Sequence, residues 1–215
     1  MVECAAAWVR VIIVNHNAGP LLQNCIDALA AQSLANFEAI VVDNDSSDGS
    51  AEALRLPDDR FRLHLARANL GFAAANNLAA ADCKAPWLAT LNPDTVAGKT
   101  WLEELRSATL RYPAVNMFGS TQLDARKPDR VDGFGDVYSV FGTAWRGASG
   151  SPVSALPPMT ARSSPHAPLL PFTPATPIAR PAGSMRASFA ISRTSISAFA
   201  CGCAASAAFR SAVPK

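Results

Sequence analysis

Read for period, residues 9–94 alternate between two kinds of segment, and a further helical pattern follows. VRVIIV (Val9–Val14) is a short, continuous, β-branched run, the pattern of a strand buried on both faces. NHNAGP follows as a loop, and Pro20 suits the first turn of a helix, where its missing N–H has no intrahelical partner to lose. Leu21, Leu22, Cys25, Ile26, Leu29 and Ala30 then recur at helical spacing, which predicts a helix through Gln32. FEAIVVDN (Phe37–Asn44) reads as a second buried strand, and DSSDGSAEAL as caps followed by a second helix. FRLHLA (Phe61–Ala66) predicts a third strand, and NLGFAAANNLAAADC (Asn69–Cys83) a loop entering an Ala-rich helix. PWLATLNPD (Pro86–Asp94) predicts a fourth strand ending in a turn, and TWLEELRSATLRY (Thr100–Tyr112) an amphipathic helix.

Strands and helices alternating at this spacing predict βαβ units, hence an α/β domain with a mainly parallel sheet flanked by helices. Such sheets bind ligands beyond the carboxyl ends of their strands. Three polar clusters fall at those ends: Asn15-His16-Asn17, Asp43-Asn44-Asp45 and Asn92-Pro93-Asp94. After about Gly147 the periodicity fades into Ala, Ser, Pro and Arg, so the chain divides into residues 8–150 and a tail, 151–215.

Charge sharpens that division. The net charge of +2 over 215 residues averages two unlike parts. Residues 1–136 hold all 17 acidic residues and 12 basic ones, net −5, whereas residues 137–215 hold seven basic residues and no acid, net +7. Ten of the 16 prolines lie at or after Pro152, the composition of a segment that does not fold on its own. The seven cations are spread without clusters or interleaved aromatics, which argues against a nucleic-acid partner. The five cysteines (Cys4, Cys25, Cys83, Cys201 and Cys203) are odd in number and spaced for neither a disulfide framework nor a zinc site, so a reducing cytoplasm is the expected location. MVECAAAWVR lacks the basic start and apolar run of a signal peptide, and no stretch of apolar residues is long enough for a membrane span.

Each cluster admits two uses. Asp43, at a strand end, can accept two hydrogen bonds from a ribose or a base N–H; Asp43, Asp45 and Ser46 equally suit caps for the next helix. Asp94 follows an apolar strand, so its carboxylate is set to enter the crevice and ligate a hard cation that takes its other oxygens from phosphate and water; Asn92-Pro93-Asp94 is also a common turn. Gly71 suits close backbone approach to a ligand, with Asn76 and Asn77 donating and accepting, or a left-handed turn before a helix. His16 is a candidate base or a positioning group. The chain has no G-x-G-x-x-G after its first strand, no G-x-x-x-x-G-K-[ST] and no G-x-S-x-G, which excludes the fingerprints of dinucleotide binding, P-loop chemistry and α/β-hydrolases.

Order and spacing together are more specific than any one cluster. VRVIIVNHNAGPLLQNCIDALAAQS, FEAIVVDNDSSDGS, ANLGFAAANNLAA and LNPDTVAGKTWLEEL resemble family 2 glycosyltransferases of the GT-A (Rossmann-like) fold, in particular the rhamnosyltransferase-like branch, over about residues 8–150. The resemblance implies inverting transfer of a sugar from a nucleoside-diphosphate sugar to a glycan or lipid-linked acceptor hydroxyl, in cell-surface polysaccharide or glycolipid synthesis. It implies a cytoplasmic enzyme, with peripheral contact at the inner face of the membrane. By the same resemblance Val14, Asn15 and His16 line the base and ribose pocket, Asp43 holds the base or ribose, and Asn69, Gly71 and Asn77 lie near the donor. Asn92-Pro93-Asp94 stands where the family has D-x-D, so Asp94 becomes the ligand of Mg²⁺ or Mn²⁺, with Asn92 replacing the first acid. The family's general base sits in an ED pair within a GGFDE-x-F-F-x-Y-x-E-D-x-D-L region; no such region is present, the catalytic base is unassigned, and the fold is expected to be incomplete on its C-terminal side.

The tail accounts for the missing base when its codons are shifted. Met159 has one codon, ATG, and reading from its third base permits Asp, then Gly, Glu and Val. Further on, PAGSMRASFAISRTSISAF permits GGFDE, FF, Y and EDVDLGF, in that order. A single-base insertion or deletion near Pro152–Met159 therefore explains both the absent acids and the Ala/Ser/Pro/Arg bias, and makes the tail an out-of-frame, disordered segment. On this reading the chain as written binds donor but is impaired in transfer. The alternatives are a catalytically inactive nucleotide-sugar-binding module, and an interaction protein acting through a genuine basic, Pro-rich tail.

Overall fold

The structure is a computed structural model and describes residues 7–133, 136–138, 144–146, 148–156, 178–180 and 190–193. The chain order begins β1 (Val9–Asn15), α1 (Leu21–Ala30), β2 (Phe37–Asp43), β3 (Phe61–Leu65), α2 (Phe72–Ala80), β4 (Trp87–Leu91) and α3 (Trp101–Arg111). Shorter strands follow: β5 (Met117–Gly119), β6 (Gln122–Asp124), β7 (Val131–Gly133), β8 (Asp136–Tyr138), β9 (Ala144–Arg146), β10 (Ile178–Arg180) and β11 (Ala190–Arg193). The main sheet has the order β3-β2-β1-β4-β11-β5. Its first four strands are parallel, as their spacing in sequence predicts, and β11 runs antiparallel to both neighbours.

β1 is central and every one of its residues is buried. Alternation along the strand divides the core. Val9, Val11 and Ile13 pack with Leu22, Cys25, Ile26 and Leu29 of α1 and with Trp101, Leu102 and Leu105 of α3. Ile12 and Val14 face the other way, onto Ala75, Ala79 and Ala80 of α2. The small α2 residues bring that helix close to the sheet, and Arg10, 3% exposed, fastens it there. Its guanidinium donates to Glu38 of β2 at 2.8 Å, to the Ala79 carbonyl at 2.8 Å, and to Asp82 just past α2. Burial works against the Arg10 cation, but the hydrogen bonds to Glu38 and Asp82 outweigh it, and its pKa is raised.

One predicted element does not form. DSSDGSAEAL is a series of turns, with Ala53 N–H donating to the Gly49 carbonyl at 3.0 Å as its single α-like bond. Gly49 sits at φ 76°, which interrupts a right-handed helix, and Asp48 spends its carboxylate on the Gly19 and Ser50 N–H groups. The tail expectation falls mostly outside the described residues; within them Val153–Ala155 forms one 3₁₀ turn, and β10 and β11 pair with β6 and with β4 and β5. No helix among the described residues is long and apolar enough to cross a membrane.

Candidate functional site

The register fixes which polar residues share an edge. Asn15 lies opposite Asp43 on β1 and β2, Asp43 opposite Leu65 on β2 and β3, and Ile13 opposite Leu91 on β1 and β4. The segments after Asn15, Asp43, Leu65 and Leu91 therefore all leave from the carboxyl edge; Asp43 ends β2 and Asp94 lies in the turn after β4, the two strands flanking β1.

Asn15 and Asp43 point to the same side of the sheet and are both buried. Asn15 Nδ2 donates to Asp43 Oδ1 at 2.8 Å and also faces Ser46 Oγ at 3.0 Å and Ser50 Oγ at 2.9 Å. Two amide hydrogens thus serve three acceptors, and Asn15 Oδ1 is buried without a hydrogen-bond partner among the described residues. Asp43 Oδ2 accepts from the Ser46 N–H at 3.2 Å. The capping reading of Asp43 and Ser46 survives here as an Asx-type turn rather than a helix cap. Asn17 and Asp45 adopt left-handed backbone at φ 57° and 65°, which short polar side chains tolerate.

The β3–α2 loop is tied to the same edge. Asn44 Nδ2 donates to Asn69 Oδ1 at 2.9 Å, Leu70 N–H donates to Asn44 Oδ1 at 2.8 Å, and Gly71 N–H donates to Asn69 Oδ1 at 3.0 Å. His16 Nδ1 lies 3.0 Å from the Asn44 carbonyl oxygen, which can only accept, so that nitrogen carries the proton. Its Nε2 is then the acceptor for Asn69 Nδ2 at 3.4 Å. Gly71 sits at φ 79° and ψ 161°, a region essentially reserved for glycine, yet a Cβ there would meet nothing within 4 Å. Gly71 therefore answers a backbone demand and not close packing within the protein.

Beyond β4 the chain turns at Asn92-Pro93-Asp94. The Asn92 carbonyl accepts from Thr95 N–H at 3.3 Å and Thr95 Oγ1 at 2.6 Å, and the Cys25 thiol of α1 donates to it at 3.4 Å. Burial pushes the Cys25 thiol up to about 12, with the Asp94 charge adding to the rise. Asp94 itself is half-buried. Among the described residues no group of three or more His, Cys, Asp or Glu gathers to hold a metal ion.

Of the candidate residues, Asn15, His16, Asp43, Asn69 and Gly71 form one connected network, with Val14 buried beneath it against α2. Asn92 and Asp94 stand on the far side of β1 from Asp43. Asn77 is exposed on α2, while its neighbour Asn76 turns inward, donating to the Phe72 carbonyl with Oδ1 buried and unmatched among the described residues. The spacing of the buried Ala75, Ala79 and Ala80 puts Asn76, not Asn77, on the sheet-facing side of α2. Asn44 and Ser50 are central to the network; the sequence places Asn44 in a strand-end cluster without giving it a role and does not pick out Ser50. A concavity of about 210 Å³ adjoins it, between Pro20 and Gln23 on one side and Asp48 and Ala53 on the other. That is below the roughly 300–1,000 Å³ usual for small-molecule sites.

The sequence model of glycosyl transferase family 2 matches residues 10–130, more than half of the chain. The chain is 28% identical over 178 residues to N-acetylglucosaminyl-diphospho-decaprenol L-rhamnosyltransferase of Mycobacterium tuberculosis (strain CDC 1551 / Oshkosh), covering 78% of this chain and 51% of that protein. It is 32% identical over 103 residues to validoxylamine A glucosyltransferase of Streptomyces hygroscopicus subsp. jinggangensis, covering 46% of this chain and 24% of that protein. It thus spans about half, or less, of these relatives' lengths. Among solved structures, a mannosyltransferase from Pyrobaculum calidifontis in complex with GDP-Man and Mn²⁺ aligns with a TM-score of 0.48 at 24% identity, over 54% of this chain and 35% of that one.

Proposed function

This chain belongs to glycosyl transferase family 2, and from that premise we propose that its carboxyl edge binds a nucleoside-diphosphate sugar for inverting transfer to an acceptor hydroxyl, a transfer impaired in this sequence for want of a carboxylate base. The observation that carries the reading is the buried Asn15–Asp43 pair: a carboxylate and an unmatched amide oxygen stand together at the end of the central strands, an acceptor-rich place for the N–H of a base or the hydroxyls of a ribose. Asp94 fits a divalent cation of the Mg²⁺ or Mn²⁺ kind, because such an ion needs few protein oxygens when phosphate and water supply the rest. Bound there, the cation would offset negative charge on the diphosphate leaving group. His16, Asn69 and Gly71 bound the remaining side of the donor site. The Mycobacterium relative is named for an acceptor on a decaprenyl diphosphate, and a lipid-linked acceptor of that class, met at a membrane surface, is the first to try.

The test is a titration of UDP-, dTDP- and GDP-sugars with Mn²⁺, followed by transfer to a polyprenyl-diphosphate-linked sugar. Asp43→Ala is expected to weaken nucleotide binding with or without metal, by about tenfold or more for a lost charge-assisted hydrogen bond. Asp94→Asn is expected to abolish the gain in affinity that Mn²⁺ gives and leave metal-free binding of the nucleoside unchanged. Equal behaviour of both variants and the wild type would remove the reading.

The second reading, donor binding without transfer, is favoured by one observation. No acid follows Asp136, so residues 137–215 as written offer no carboxylate to take the acceptor's proton.

A further inference from the structure

Resting on the donor-site reading above, we propose that Asn44 is the positioning residue of this site, holding the His16 ring and the β3–α2 loop in the arrangement that receives the nucleotide. It is buried, and because protein partners engage its backbone and side-chain polar groups it acts through its neighbours rather than on a ligand. All four of its polar groups are used. Its N–H donates to the Asn15 carbonyl at 2.8 Å, its carbonyl accepts from His16 Nδ1 at 3.0 Å, its Nδ2 donates to Asn69 Oδ1 at 2.9 Å, and its Oδ1 accepts from Leu70 N–H at 2.8 Å.

Three of these residues close a ring of hydrogen bonds with one consistent sense. Asn44 donates to Asn69, Asn69 donates to His16 Nε2, and His16 Nδ1 donates back to the Asn44 carbonyl. The sense cannot be reversed piecemeal. Asn69 Oδ1 also holds the Gly71 N–H, so turning the Asn69 amide would break that bond as well as its bond to Asn44. The position requires a donor toward Asn69 and an acceptor toward Leu70. Asparagine supplies both; an aspartate would keep the second and set a carboxylate oxygen against Asn69 Oδ1. The ring also sets which His16 nitrogen presents a lone pair at the edge. Asn44 thus couples the ends of β1 and β2 to the loop that enters α2.

The experiment compares wild type with Asn44→Ala, Asn44→Asp and Asn69→Ala, the last at an exposed residue so that a folded variant is secured. Amide exchange at Leu70 should quicken at least about tenfold in Asn44→Ala and stay slow in Asn44→Asp, since the part-buried bond from the Leu70 N–H to the side-chain oxygen at position 44 is lost only in the first. The ¹⁵N signals of the His16 ring should show the Nδ1–H tautomer in wild type and all three variants, held by the Asn44 backbone carbonyl, with the Nε2 signal alone shifted in the variants as the Asn69 donor is removed or released, which a merely destabilising change would not cause. Nucleoside diphosphate with Mn²⁺ should bind about tenfold more weakly to each variant, and the Asn44→Ala/Asn69→Ala double variant no more weakly than the singles. Wild-type binding with unaltered affinity in Asn44→Asp and Asn69→Ala, or additive losses in the double variant, overturns the role of Asn44 alone. Absence of binding by the wild type overturns the donor-site reading and this role with it.

Discussion

The Cys25 thiol offers a test whose size follows from burial. It is fully enclosed beneath α1, donates to the Asn92 carbonyl, and ionises only at about 12 instead of its ordinary 9.0. Between those values the unfolded chain loses the proton and the folded chain keeps it. The native state then binds more protons than the unfolded one, so stability falls as pH rises. A difference of one proton gives a slope near 1.4 kcal/mol per pH unit. By pH 11 this thiol alone should cost about 3 kcal/mol relative to pH 8, levelling off near 4 kcal/mol at about pH 12. Cys25→Ala removes the titration and leaves a small void, costing about 1 kcal/mol at pH 8. Urea unfolding under reducing conditions from pH 8 to 11 should therefore give two stability curves that converge and cross, wild type above at pH 8 and below at pH 11. Lysines, tyrosine and the other thiols titrate in both proteins and cancel. Parallel curves would refute the reasoning, because they would mean that the thiol is solvated or that its proton is not held by the turn that carries Asp94.

Further outcomes follow from the Arg10 contacts, the Gly71 backbone and the reading frame of the tail. Arg10→Met should lower the unfolding free energy by about 2–3 kcal/mol in urea titrations, less than for a fully enclosed pair because the Asp82 side chain is 79% exposed, and Glu38→Gln should cost about 1 kcal/mol. Gly71→Ala, at a backbone conformation that L-residues avoid, should cost about 1–3 kcal/mol by the same measure and weaken nucleotide binding through the displaced β3–α2 loop, although a Cβ there touches nothing. Correcting the coding sequence by one base near codon 158 should open a frame encoding an E-D-x-D segment, and the corrected protein should transfer sugar in an assay where this chain transfers little; normal turnover by the chain as written, or the absence of such a frame, would end the idea of a displaced C-terminal region.

How much of this was legible in the sequence depends on the range over which each feature is decided. The four parallel strands and three helices were readable because continuous runs such as Val9–Val14 and the helical spacing from Leu21 to Ala30 are local patterns that a buried sheet and its covering helices require. Residues at strand ends were readable for the same reason, since a parallel sheet sends all its carboxyl ends to one edge. The segment after Asp43 misled because cap residues and an Ala-Glu-Ala-Leu run favour a helix locally, whereas Gly49 and the bonds from Gly19 and Ser50 to Asp48 commit it to turns. Asn76 and Asn77 are equivalent by composition, and only the side of α2 each occupies separates them. Asn44 was hardest to find for a different reason. Its partners at positions 15, 16, 69 and 70 are remote in sequence, and nothing in DNDSS distinguishes a side chain that caps its own turn from one that bridges to another loop. That bridge exists only once the register of β1, β2 and β3 has brought three strand ends side by side. The polar chemistry of this edge is therefore a product of strand pairing: local pattern supplies the donors and acceptors, and the sheet decides which of them meet.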